Sequence, residues 1–122
     1  MEKIRNFRDL KVWQISIDMV TLVYQMLKSF QKEEQYGIMS QIRRSAVSVP
    51  ANIAEGQARH GTKEFIQFLY IAEGSLFEVL TLTEIFKRRK LIKDHGAKEI
   101  RSQAEIIDRK LRGLINSLRG RF

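Results

Sequence analysis

The sequence predicts an all-α fold: a single domain of four antiparallel helices. Three observations point there. The chain holds one proline, Pro50, in 122 residues, which favours long uninterrupted helices over a loop-rich fold. Apolar residues recur at alternating steps of three and four through four long segments. No segment sustains period-2 alternation, so no sheet is expected. A chain of this length supplies one domain, residues 1–122, and its 43% apolar content allows a real core.

Helix 1 is expected from about Phe7 to Ser29. Asn6 can cap it, and Asp9 lies in the first turn, where the helix dipole favours an anion. Leu10, Trp13, Ile17, Val20, Tyr24 and Leu27 form one apolar register; Val12, Ile15, Met19, Leu22 and Met26 form a second. Together they cover roughly 200° of the helix, about twice what one bundle face requires. The surplus predicts a subunit interface on helix 1 and its neighbours; replacing Met19 or Leu22 with Glu would dissociate the oligomer if those residues face a neighbour and unfold the subunit if they are buried within it. Helix 2 is expected from about Glu33 to Arg59, its core stripe Met39, Ile42, Ala46, Val49 and Ile53. Pro50 would free the carbonyl of Ala46 and kink the helix, with Ser45 or Ser48 satisfying the distorted turn. The alternative is two shorter helices with Pro50 near the start of the second. Helix 3 is expected from about Lys63 to Lys90 behind Thr62 as N-cap, with Phe65, Leu69, Ala72, Leu76, Val79 and Phe86 inward. Helix 4 is expected from about Asp94 to Arg119, with Ile100, Ala104, Ile107, Leu111, Leu114 and Leu118 inward. Short connections make sequence neighbours antiparallel.

Composition narrows the function. Without cysteine there is neither a disulfide scaffold nor a thiolate metal site. The N-terminal residues show no apolar signal region, and the longest membrane candidate is taken to be Met19 to Leu27, far short of a span. A cytoplasmic protein with no membrane association is the expectation. Charge is unevenly placed. Residues 1–86 hold 10 basic and 10 acidic residues, whereas residues 87–122 hold 12 and 4, so the whole formal charge of +8 lies in the last third. Basic charge gathered in one region is the footprint of polyanion binding, though it also serves as a solubilising helical face.

Longer stretches of the chain match a known pattern. Phe7, Asp9, Leu10 and Trp13 begin it. Glu34, Tyr36, Gly37, Ser40, Gln41, Arg43, Arg44, Ala46, Ser48, Pro50 and the Asn52-Ile53-Ala54-Glu55-Gly56 run continue it. Lys63, Glu64, Phe65, Phe68, Leu69, Ala72, Gly74, Ser75, Leu76 and Glu78 close it. With this spacing the chain resembles the family of four-helix-bundle proteins named for the 23S rRNA intervening sequence. It departs at Gln31, where the family usually has proline after Phe30. The resemblance implies a left-handed bundle. It also implies ring-shaped homopentamers with a basic surface, as in the related accessory variability determinants that accompany a reverse transcriptase and its template RNA.

Candidate site residues fall into two groups. Lys87, Arg88, Arg89, Lys90 and Lys93 form the densest basic cluster, at the end of helix 3, and Arg109, Lys110, Arg112, Arg119 and Arg121 add to the same region. The helix dipole accounts for one or two of these cations and not for five. Dispersed Lys and Arg suffice to bind a phosphate backbone, and little aromatic interleaving means base stacking is not indicated. Asn52, Glu55, Ser75 and Glu78 are polar residues within largely apolar helices. They fit a buried hydrogen-bond network better than a ligand site. Arg43 and Arg44 point about 100° apart, one pairing with Glu55 or Glu78 and the other reaching solvent. Gly56 and Gly74 are expected to let helices approach closely. His60 and His95 are the only histidines, and neither has helical spacing to an acid that would suit a metal. Phosphate loops and nucleophile elbows are absent. The expected function is a non-enzymatic RNA-binding homo-oligomer without cofactor or metal. The alternative is a scaffold that docks an acidic protein partner, such as a reverse transcriptase.

Overall fold

Apolar spacing becomes four long helices in the computed structural model of the chain, which describes residues 6–28 and 35–120. These are α1 (Lys11–Leu27), α2 (Ser40–Gln57), α3 (Thr62–Arg88) and α4 (Asp94–Arg119). No strand occurs among the described residues. Helix 4 has its expected bounds; the others differ at their starts, and α2 and α3 each end two residues earlier than expected, at Gln57 and Arg88. Phe7–Asp9 is a separate 3-10 turn, capped by Asn6, whose side chain accepts from the Arg8 amide at 2.9 Å. Leu10 then runs extended before α1, and Phe7 packs edge-on against Trp13 with ring centroids 5.2 Å apart. At α3 the capping position is Gly61, not Thr62. Gly61 is extended and its carbonyl accepts from Phe65, so Thr62 already lies inside the helix. A π-helical turn, Gln35–Met39, leads into α2. The expected start of helix 2 at Glu33 and end of helix 1 at Ser29 lie outside the described residues, as do Phe30, Gln31, Glu34 and Arg121.

Each helix packs mainly on its chain neighbours, and α1 also packs on α4, so α2 sits diagonally across the bundle from α4. α2 continues through Pro50, which rules out two shorter helices. The Ser45 hydroxyl bonds back to the Gln41 carbonyl and Ser48 bonds across to α3, so neither serves the carbonyl freed at Ala46. The core stripes expected for α2 and α3 are buried throughout, and on α4 only Leu114 is half-buried instead.

On α1 the two open readings of Met19 are resolved in favour of burial within the subunit. Val12, Met19, Val23 and Leu27 are the interior, with Met19 fully buried. Leu22 is half-buried beside α4, and the residues left exposed, Ile17 and Tyr24, belong to the first register. Ser16 settles which face turns inward. Its hydroxyl donates to the Val12 carbonyl at 2.6 Å, so a polar residue enters the core already satisfied by its own helix. The larger apolar surplus lies on α3. Its most apolar window has a mean hydropathy of 1.4, and only 39% of that window is buried in the bundle. By length and composition α3, not Met19–Leu27, is the segment that could cross a membrane. Its inward face is nonetheless the core of the bundle. Tyr70, Ile71, Phe77 and Ile85 remain exposed on its outside.

α2 and α3 are joined by a seam of small and polar residues. A β-carbon on Gly56 would lie 2.6 Å from Phe68 Cβ and 3.0 Å from Phe65 Cδ1, so only glycine fits where the two backbones meet. Above it, Asn52 donates to Ser48 Oγ at 2.8 Å, and Ser48 shares a 2.8 Å hydrogen bond with Ser75. Higher still, Gln41 donates to Glu78 at 3.0 Å. Gly74 has no such role: nothing lies within 4 Å of where its β-carbon would stand, and the expectation of close approach at that glycine fails within the subunit.

α3 and α4 are clamped differently. Arg112 donates to Glu73 at 3.3 Å and pairs with Asp108 at 3.2 Å. Asp108 Oδ1 is buried without a hydrogen-bond partner. Desolvation raises the Glu73 carboxyl above its ordinary value, and the neighbouring Asp108 raises it further by accepting its proton.

Two predictions follow from these seams. Gly56→Ala gains roughly 1 kcal/mol of helix propensity but overpacks a site that no rotamer change can relieve, so it should destabilise the protein by about 1–2 kcal/mol net. Gly74→Ala meets nothing within its own subunit and should stabilise the helix by up to about 1 kcal/mol. Denaturant midpoints of the two variants should move in opposite directions from the parent. The second concerns pH. A carboxyl whose folded pKa is raised contributes stability below its unfolded pKa and loses it as pH rises through the folded one. The stability of Glu73→Gln relative to the parent should therefore increase from pH 4 to pH 7, and a flat difference in chemical denaturation would refute the assignment.

Candidate nucleic-acid interface

The basic cluster forms where α3 stops. Lys90 takes a left-handed backbone, φ 61°, and is the only non-glycine residue with positive φ among the described residues. The Leu91 amide reaches back to the Phe86 carbonyl at 2.9 Å and the Lys90 amide to the Lys87 carbonyl at 3.0 Å. This pair of bonds is a Schellman ending, whose left-handed position usually holds glycine. Half-buried Leu91 and buried Ile92 anchor the turn on its inner side. Arg89, Lys90 and Lys93 are left exposed on its outer side. Lys93 is also the capping residue of α4, without a side-chain cap, so the open amides of the first turn of α4 add partial positive charge beside it.

The other predicted cations are placed unequally. Lys87 is half-buried. Arg88 is largely exposed but donates to Glu84 at 2.8 Å, and this hydrogen bond holds the Glu84 carboxyl below its ordinary value. Glu84 therefore sits inside the cationic cluster and offsets part of it. On α4, Arg109 is exposed, whereas Arg112 is occupied by the Glu73–Asp108 clamp. Arg119 donates to the Tyr70 hydroxyl and stacks over that ring at 5.5 Å. Lys98 and Arg101 were not singled out from the sequence. Both are exposed and three residues apart, as are Arg109 and Arg112, and these four share the outer side of α4. The three-residue step that Lys98–Arg101 shares with Arg109–Arg112 was the signal that could have found them. α4 leaves no large hydrophobic residue exposed among its described positions.

The predicted polar network is assembled in part. Asn52 and Ser75 meet through Ser48, whereas Glu78 is bonded separately, by Gln41. Glu55 does not: it is exposed and pairs with Arg59 at 3.2 Å. Arg43 pairs with neither Glu55 nor Glu78; it lies half-buried with its guanidinium 5.7 Å from the Tyr24 ring, and Arg44 is exposed. His60 and His95 are both exposed. His95 lines a cleft of about 360 Å³ between α1 and the start of α4, with Leu22, Met26, Lys93 and Glu99. Among the described residues no group of three or more His, Asp or Glu side chains is arranged to hold a metal ion.

Comparison with known proteins adds the lineage. A search of curated proteins finds no match. Among solved structures, the chain is similar to a protein of unknown function of the S23 ribosomal protein family from Bacteroides thetaiotaomicron VPI-5482. The TM-score is 0.77 at 24% identity, over 85% of this chain and 97% of that one, a likeness of fold. The family described as 23S rRNA-intervening sequence protein matches over residues 8–113, well past the last motif recognised in the sequence at Glu78. With nearly the whole bundle inside that match, the chain belongs to the 23S rRNA-intervening sequence protein family.

Proposed function

We propose that this protein is a non-enzymatic homo-oligomer, a pentamer, that binds RNA through electrostatic contacts in the cytoplasm. The observation that carries the reading is Lys90. A left-handed backbone costs an ordinary residue roughly 1–2 kcal/mol, and glycine avoids the cost. A lysine held there, between exposed Arg89 and Lys93, trades stability for charge at one spot on the surface. From that spot the exposed row Lys98, Arg101 and Arg109 runs along α4. Such a surface has the dispersed cations a phosphate backbone needs and lacks exposed aromatic residues for base stacking. One subunit offers only a few contacts, and repetition around an oligomer makes them effectively intramolecular, raising avidity by roughly 10² or more.

A scaffold for an acidic protein, such as the reverse transcriptase of a retroelement, is the second reading. The same cations favour it, together with the exposed Tyr24 and Phe77, which suit a protein surface better than RNA backbone.

Binding of an unstructured RNA without partner protein should be steeply salt-dependent and nearly indifferent to sequence. The Arg88→Glu/Arg89→Glu/Lys90→Glu variant should lose it while keeping its circular dichroism and sedimentation. Lys90→Gly should raise the unfolding midpoint and weaken binding together, a pairing that a purely structural turn would not give. No binding by the parent at low salt would move the assignment to the protein scaffold.

A further inference from the structure

Six of the seven exposed large apolar residues among the described positions form two patches of different shape; Ile71 lies outside both. Ile17 and Tyr24 lie on the side of α1 that meets α2, as the Arg43 guanidinium over the Tyr24 ring shows. Val47 follows Arg43 by one turn of α2, so the three line a shallow groove between these helices. On α3, Tyr70, Phe77 and Ile85 share one row with Gly74 and Thr81, at steps of four, three, four and four. That row is a crest, and Gly74 is a notch in it, a mid-helix glycine with nothing within 4 Å of its β-position in its own chain.

Groove and crest stand at the same height. Tyr24 adjoins Arg43, and two residues earlier on α2 Gln41 reaches Glu78, next to Phe77. One to two turns lower, the Ser48–Ser75 bond sets Val47 level with Gly74. Charge is complementary at the upper level. Arg43 sits half-buried in the groove, paired with no carboxylate among the described residues, and Glu78 is an exposed carboxylate flanking the crest. By the 100° advance per residue, the two patches lie on different sides of the bundle, as a head-to-tail contact requires.

We infer that the α3 crest of one copy seats in the α1–α2 groove of a second copy without axial offset, with Glu78 meeting the partner's Arg43. This rests on the homo-oligomer reading and names its interface. The contact is head-to-tail, so its repetition closes a ring with no rise. It turns α2 toward the ring axis and α4, diagonal to it, outward, and the basic row faces solvent.

The chain has no cysteine, so Tyr24→Cys and Phe77→Cys are unique reporters at exposed positions. The double variant, treated as the native assembly with a short bismaleimide, should give a ladder of covalent multimers ending at the closed ring. Each single variant should give none, and a mixture of the two singles should give dimers. Gly74→Leu should weaken association at least tenfold with unchanged circular dichroism. Dimers from Phe77→Cys alone would show crest meeting crest and overturn the inference. So would a parent that sediments as an oligomer while the double variant gives no ladder, or a Gly74→Leu protein that associates like the parent; the oligomer reading would survive both. A parent that sediments as a monomer at micromolar concentration would remove both readings.

Discussion

The meeting of α2 with α3 at Gly56 is the contact on which the rest of the subunit depends. Two aromatic residues, Phe65 and Phe68, press on a position with no side chain, and the helices are brought close enough there for hydroxyl-to-hydroxyl bonding further along. A Ser–Ser bond spans little distance, so Ser48 and Ser75 can meet only between backbones already near each other. The Gln41–Glu78 bond then uses longer side chains as the seam nears the surface. This series fixes the register of α2 against α3. The same register sets the heights of Val47, Gly74 and Phe77, on which the proposed assembly relies.

Polar groups in the interior divide by the job they do. The hydroxyls of Ser16, Ser45 and Thr83 are bonded to carbonyls four residues earlier on their own helices. They enter the core at little cost and specify nothing about neighbouring helices. Asn52, Ser48 and Ser75 act between helices and do specify alignment. Glu73, Asp108 and Arg112 also act between helices, but at the edge, where ionisation alters the balance.

How much of this was legible in the sequence varied by helix, for physical reasons. α4 has one apolar stripe and a polar remainder, so spacing alone located its bounds and its interior. α1 carries two apolar registers, and hydrophobicity could not choose between them. The choice fell to Ser16, whose self-satisfying hydroxyl makes a polar residue acceptable inside. α3 hid its surplus because its inward stripe read as complete by itself, and Tyr70, Phe77 and Ile85 passed unremarked on the other face. Charge was legible as a regional excess. Which cations are occupied was not, because the partners of Arg88, Arg112 and Arg119 lie on helical neighbours or on α3, and Tyr70 is not acidic. The left-handed backbone at Lys90 carries no sequence signal, since glycine is what such a position normally shows.

The up-and-down path of the chain gives the bundle two unlike ends. The turn holding Lys90 and the end of α1 share one, as the cleft joining Met26 to Lys93 shows. Asn6, the α2–α3 turn and Gly120 share the other. Cyclic symmetry without a perpendicular two-fold preserves that difference in a ring. All copies of the basic turn would then crown a single rim, and the assembly would have a polarity. A polyanion would meet one rim far more strongly than the other, and a protein fused beyond residue 120 would hang from the rim that leaves it unobstructed.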